Sequence, residues 1–345
     1  MPISNRGAFF SALAFALSLA VTASLAQPVP RYVSLCKVDA EISDADRKPV
    51  EAAALAVAQA MLKGDGDAVF RGMTKAAQSS AKPTDLAQYA SFAARSGPYQ
   101  AVQVAHTYQI DVKGGRDPLP KMICGRSLTD PDAVALSMAA IPRQFHVEIK
   151  AHTINNDWSM FLWLVPEQGE LKVLALNLNA SAISGRTAPD LHKLAVAQSA
   201  RGHAVNAALL YRAAEGVAGR GPNAAPMWKR DLDRDASGLR LPPEFRTGSA
   251  GGWRFEGEAF GANDVGVLGV GGDLDIMIVR HPHPWTDTAS IDVDNRAFVT
   301  GLLRSHPELA DGFGAIVVRA MKPDGSGGFG TVYVFGKGFS AGPAA

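Results

Sequence analysis

Apolar and polar positions divide the chain into three stretches with different periods. In the first, Val50, Leu55, Ala58, Met61 and Leu62 form a helical stripe over 49–63, with Asp46 ahead, Pro49 near the first turn and Gly64 just past the end. A short second helix is predicted over 67–73. Thr84 suits the N-cap of a third, where Leu86, Tyr89, Ala90 and Ala93 recur at helical spacing and Gly97 stops the run. The period then falls to two. Val102, Val104, His106, Tyr108, Ile110 and Val112 alternate with Gln103, Ala105, Thr107, Gln109 and Asp111, predicting a half-buried strand with the first set on one face. Phe145, Val147, Ile149 and Ala151 alternate with His146, Glu148, Lys150 and His152, whose mixed charges read as a solvated strand face. Asn155, Asn156 and Asp157 mark a turn, 158–165 a nearly all-apolar strand, 167–170 another turn and 171–179 a returning strand. The last three strands make an antiparallel meander, and helices followed by such a sheet give an α+β order.

The run LAVAQAMLKGDGDAVFRGM, from Leu55 to Met73, joins a long helix to a short one through a Gly-Asp step. With the strands that follow, it resembles the opening of the SnoaL-like, nuclear-transport-factor-like cone proteins. The resemblance covers about 130 residues on a loose motif. It implies a conical sheet wrapped on helices, with a pocket at the open end that holds an Asp or His in the enzymatic members. No catalytic acid can be matched residue by residue. His106 and Tyr108 are the pocket candidates, and the plainer reading makes both core-edge residues satisfied by hydrogen bonds.

In the second stretch, 186–221, Asp190 caps a helix, Arg201-Gly202-His203 interrupts, and a second helix runs over 204–217. Leu191, Leu194, Ala195, Gly202, Ala207, Tyr211 and Ala214 resemble one tetratricopeptide repeat, although Gln198 stands where its first helix has an aromatic, Ala204 where it has a turn-side aromatic, and the closing proline is displaced to Pro222. One repeat cannot bury its own faces, so the hairpin is expected to pack on a neighbouring domain. Residues 222–251, rich in Pro, Gly and charge, read as a linker. Asp231, Asp233 and Asp235 suggest a calcium loop, but Ala236 and Pro242 stand where its Gly and bidentate Glu belong, and Arg230, Arg234 and Arg240 repel a cation.

The third stretch, 252–345, is β-rich. Trp253, Phe255 and Ala259 alternate with charged residues, 272–279 (GDLDIMIV) is a strand, 315–321 and 331–335 are late strands joined by the Gly-rich turn 324–328, and 294–303 has a helical pattern. GGDLDIMIV between WRFEGEAF and GTVYVF resembles the bacterial pre-peptidase C-terminal domain, a small secreted β-sandwich. His281, His283 and Asp287 suggest a metal site like the HxHxDH set of metallo-β-lactamase-type hydrolases, but Pro282 and Pro284 intrude and Asp287 is out of register. The glycines of 266–272 lack the Lys-Ser/Thr of a phosphate loop, and the chain holds no GxSxG or HExxH.

Export changes the picture. Arg6, the apolar run 8–21 and Ser24-Leu25-Ala26 compose a cleavable signal peptide over 1–26. The apolar run is short of the roughly 20 residues that span a bilayer. No later stretch reaches 18 consecutive apolar residues. In an oxidising compartment the two cysteines, Cys36 and Cys124, are expected to form one disulfide. Lys+Arg total 34 against Asp+Glu 33, and Arg6 is the only charge in the leader, so nothing electrostatic points to nucleic acid or an anionic membrane. The sequence leads to α+β architecture: a cone-like domain (27–185), a helix hairpin (186–221), a linker (222–251) and a β-rich domain (252–345). The expected function is a periplasmic or secreted, non-catalytic accessory protein without a cofactor, binding a small apolar ligand or an envelope protein. The alternatives are a lyase or isomerase using the cone pocket, and a metal-dependent hydrolase.

Overall fold

The computed structural model describes residues 33–113, 121–125, 133–153, 157–239, 242, 253–255, 258–260, 264–270, 272–281, 285, 287–322 and 327–340. The leader, His283, its flanking prolines, Asn155 and Asn156, and most of 240–252 lie outside the described residues. In chain order the elements begin with β1 (Val33–Val38), a 3-10 turn (Asp39–Glu41), α1 (Asp44–Leu62), α2 (Gly66–Arg71), α3 (Lys75–Ser80) and α4 (Pro83–Arg95). There follow β2 (Tyr99–Lys113), β3 (Met122–Cys124), β4 (Val134–Leu136), β5 (Arg143–Thr153), β6 (Asp157–Glu167), β7 (Glu170–Ala180), β8 (Ala182–Ile183) and β9 (Arg186–Thr187). Then come α5 (Ala188–Ala200), α6 (Ala204–Ala218), β10 (Ala224–Pro226), α7 (Lys229–Ser237), β11 (Trp253–Phe255), β12 (Glu258–Phe260), β13 (Asp264–Val270) and β14 (Asp273–Arg280). The chain closes with α8 (Thr288–Ser305), a 3-10 turn (Pro307–Asp311), β15 (Ala315–Met321), β16 (Gly328–Val334) and β17 (Gly338–Phe339). The class is α+β. Two compact units result: one runs to Ser181 and takes in Ala218–Arg230, the other holds Ala182–Val217 and everything from Asp231.

The first unit is built in three layers. Its main sheet is antiparallel, in the order β1-β2-β5-β6-β7, and β5, β6 and β7 form the expected meander. On one face lie the helices: Ala54, Ala58 and Met61 of α1 and Leu86, Ala90 and Ala93 of α4 pack against Phe145, Val147, Ile149, Met160, Leu162, Leu176 and Leu178. On the other lies a small sheet, β10-β4-β3, enclosing a second core of Tyr108, Ile110, Cys124, Val134, Leu136, Phe161 and Ala224. The Cys36–Cys124 disulfide, with Cα atoms 5.7 Å apart, ties β1 to β3. Edge strand β7 is protected: the Tyr89 hydroxyl donates to Leu178 O at 3.0 Å and accepts from Leu178 N at 2.7 Å. Thr74 N donates to Val173 O, and Val173 N to Gly72 O.

Three sequence expectations are corrected here. The alternation in β2 does not keep one face. Between Val104↔Ile149 and His106↔Glu148 the register shifts by one residue, and Ala105 is left without a partner. A bulge moves every later side chain to the opposite face. Val102 and Val104 therefore face the helices, while Tyr108, Ile110 and Val112 enter the second core. Thr107 and Gln109 turn inward, and the Thr107 hydroxyl donates to Glu51 of α1 at 3.3 Å. Second, His146 and Glu148 are buried, at 0% and 3% exposure, because the small sheet and residues 218–222 cover the face read as solvated. Third, Pro83 rather than Thr84 opens α4, as a residue without an N–H suits the first helical position. Within the stretch read as a linker, Ala224–Pro226 pairs with β4 and Lys229–Ser237 is helical.

In the second unit the hairpin α5–α6 begins with Thr187, whose backbone N–H and hydroxyl both donate to Asp190. Gln198, at the position where the repeat has an aromatic, donates to Asp311 O at 3.0 Å and accepts from His203 and Asn206. Asn206 also donates to Glu308 O, so the hairpin is bonded to the 3-10 turn 307–311. The sheet runs β13-β14-β15-β16-β17 and is antiparallel except between β14 and β15, which are parallel and joined through α8. α8 starts at Thr288, ahead of the expected 294, since Asp287 accepts hydrogen bonds from Ala289 N and Ser290 N. Its Phe298, Val299 and Leu302 are fully buried. Trp253 and Phe260, read as one alternating strand, belong to two short strands paired antiparallel.

Candidate functional site

The residues nominated from sequence do not converge. Tyr108 is enclosed in the second core, 6.5 Å from the Phe161 ring. His106 donates from Nδ1 to Asp39 Oδ2 at 3.0 Å, and the other oxygen of that carboxylate accepts from Thr107 N at 2.8 Å. Both residues lie on the sheet face turned from the helices. The helix side is filled by the apolar core. In the second unit, His281 follows β14 directly. The Asp287 carboxylate serves as a helix cap, taking two backbone N–H groups and the Ser290 hydroxyl, which keep it ionised below the usual carboxylate range. Among the described residues no three His, Cys, Asp or Glu side chains are grouped to hold a metal ion.

A different set meets on the first unit's sheet, on the face turned from the helices. Register places it: His106, Glu148, Phe161 and Asn177 stand in one row across β2, β5, β6 and β7, with Tyr108, His146, Trp163 and Ala175 in the next. Ser159 and Asn179 extend it beside Lys150. Glu148 is the centre. Its Oε1 accepts from the Ser159 hydroxyl at 2.7 Å, from Lys150 Nζ at 2.9 Å and from Arg220 Nη2 at 3.3 Å. Burial alone would raise its pKa; Arg220 and Lys150, with the Ser159 hydrogen bond, outweigh that and hold it below the usual value. His146 lies flat against Trp163, with centroids 4.9 Å apart, and its Nε2–H donates to Ser137 O at 3.1 Å. Burial takes its pKa to about 3, against the weaker opposing pull of that hydrogen bond, so the ring is neutral.

Residues 219–221 run along β7. Asn179 Nδ2 donates to Gly219 O at 2.6 Å. Gly221 has φ +78°, and a Cβ there would stand 2.8 Å from the Asn177 Cβ, so only glycine lets the backbone approach this closely. Asn177 is 4% exposed, and among the described residues neither its Nδ2 nor its Oδ1 has a hydrogen-bonding partner. Arg220 Nε is buried in the same condition. Chemically the face offers an ionised carboxylate, two cations, a two-sided amide and an aromatic floor.

Sequence reasoning missed this set. A signal for part of it existed: Asn177 and Asn179 interrupt the apolar run of 173–180, and a polar residue recurring at period two in such a run marks a buried polar row. Arg220 carried none, because its stretch reads as a helix end and linker. A second buried network joins α8 to its sheet. Arg280 donates to Asn295 Oδ1 at 2.8 Å and to Asp294 at 2.7 Å, Asn295 donates to Thr331, and Thr331 to Asp292. Its members are paired with one another across α8, β14 and β16, which fits fastening of the helix. No family model, curated protein or solved structure matches the chain.

Proposed function

We propose that this chain is an exported, non-catalytic binding protein, whose first unit takes a small ligand on the sheet face beneath residues 219–221. The observation that carries this is the Asn177 amide, buried beside Arg220 with neither polar atom paired among the described residues. Leaving such groups unsatisfied costs about 1–3 kcal/mol each, which a ligand that pairs them recovers. Glu148 and His146 of β5 are fixed in state, the first charged and the second neutral, which suits recognition better than proton transfer near pH 7. A polar ligand fits this face better than the apolar one expected from sequence.

Export to the periplasm or medium is supported by the leader pattern of 1–26 and by the disulfide. Among the described residues no helix is long and apolar enough to cross a membrane. Protein-observed NMR against a library of small polar molecules tests the reading. Binding should move amide signals of 146–150, 175–179 and 219–221. Hits confined to 182–217 and 231–340, or turnover of a library compound at the Asn177 face, would reject it.

A further inference from the structure

We propose, resting on that reading, that the ligand of the first unit is a small 2-hydroxycarboxylate, bound through Arg220 and Asn177. Charge comes first. Among the described residues Glu148 is the carboxylate that Lys150 and Arg220 face, while Asp39, at the His106 end of the row, is taken by His106 and Thr107 N and is 37% exposed. The cluster thus carries one positive charge more than it cancels, in a place where Glu148 is 3% exposed and Arg220's side chain 15%. A buried surplus of this kind favours a monoanion over a neutral ligand or a second cation.

Geometry narrows the class. Gly221 packs on Asn177, whereas the guanidinium of the adjacent Arg220 reaches Glu148 two strands away. At about 4.8 Å per strand spacing, Asn177 and Glu148 stand about 10 Å apart across the sheet with Phe161 between them, and the Arg220 side chain points from the Asn177 side towards Glu148. Its Nε–H and the Asn177 Nδ2–H are both buried donors without a partner among the described residues, on the same stretch of this face. Paired N–H donors match the two oxygens of a carboxylate. Asn177 Oδ1 is an acceptor in the same condition, and it calls for an O–H beside that carboxylate. Phe161, between the two polar residues, gives a short carbon skeleton an apolar floor. Lys150, with 29% of its side chain exposed, marks the side from which an anion is drawn in.

Calorimetry and thermal melting of the purified full chain test this with lactate, acetate, inorganic phosphate and glycerol as probes. Lactate should bind at least tenfold more tightly than acetate or phosphate, and glycerol should not bind. Asn177→Leu keeps the branched outline and removes both amide atoms, and Asn177→Val removes them with less added bulk. At least one of the two should raise the melting temperature without ligand, and both should weaken lactate at least tenfold. Lys150→Ala, at the rim, should fold normally and weaken lactate less. Acetate binding as well as lactate would overturn the hydroxyl contact. Glycerol binding that Asn177→Leu abolishes, with no response to carboxylates, would overturn the ligand class and leave the binding reading standing. A lower melting temperature for both Asn177→Leu and Asn177→Val with no response to any probe means that the amide is satisfied within the fold, which overturns both.

Discussion

His146 and Glu148 stand two positions apart on one face of β5, and burial acts on them with different results. Among the described residues the histidine has no charged partner, and burial outweighs its one hydrogen bond to Ser137; the glutamate has two cations beside it, and they prevail. The consequences for acid stability share a sign. A histidine with a folded pKa near 3 and an unfolded value near 6.5 leaves the unfolded chain binding a proton that the folded chain refuses. Stability therefore falls as pH drops through that window, by on the order of 4–5 kcal/mol in all. Glu148, depressed in the fold, contributes stability above its unfolded pKa and loses it as pH falls through the lower folded value. Urea unfolding at stepped pH should show stability declining steadily from pH 6.5. His146→Phe keeps the stacking on Trp163, gives up the Ser137 bond, and should flatten the slope between pH 6 and 5 by up to one proton. An unchanged slope would mean that the imidazole ionises inside the fold.

Among elements, β2 shows what the sequence discloses and what it withholds. Its length and type follow from alternation, as do those of β5, β6 and β7, because period two needs only local information. The bulge at Ala105 is invisible: Val104 and His106 look like neighbours on one face whether or not an extra residue intervenes. The bulge decides which residues share a face, so sequence reasoning put His106 and Tyr108 beside Val102 and Val104, and they are not. The layer over Glu148 is equally hidden, since Arg220 lies 72 positions away in the chain and no pattern joins them. Deleting Ala105 should break the apparent alternation and leave the real one intact. Val104↔Ile149 and His106↔Glu148 would become consecutive pairs of a regular ladder, with Val102 and Val104 still on the helix face and Tyr108, Ile110 and Val112 still on the other. We expect native near-ultraviolet dichroism and a loss of stability no larger than about 1 kcal/mol. Loss of that dichroism would show that the two faces of β2 depend on the bulge itself.

Across the whole molecule, the disulfide is distributed unevenly. Both cysteines lie in the first unit, joining edge strand β1 to the small sheet that closes the second core over Tyr108 and Phe161. They are 88 positions apart, and closing a loop of that length removes about 4–5 kcal/mol worth of unfolded-state freedom in the chain-entropy account. The second unit, Ala182–Val217 and Asp231 onwards, has no cysteine and relies on the packing of α8 and the Arg280 network. Reduction should act on one unit. By hydrogen exchange followed by mass spectrometry, reductant should speed exchange in peptides from 33–38, 107–113, 121–125 and 133–138, and more weakly in the rest of the first unit. Peptides from α8, β14, β15 and β16 should keep their protection. Cys36→Ser with Cys124→Ser should reproduce the pattern without reductant. The Glu148 cluster lies beside that second core and is fastened through Arg220, so the double variant should also loosen 219–221 before the helix-side core. Equal loss of protection in α8 would show that the disulfide supports both units, and no loss anywhere would show that the strands around it hold without it.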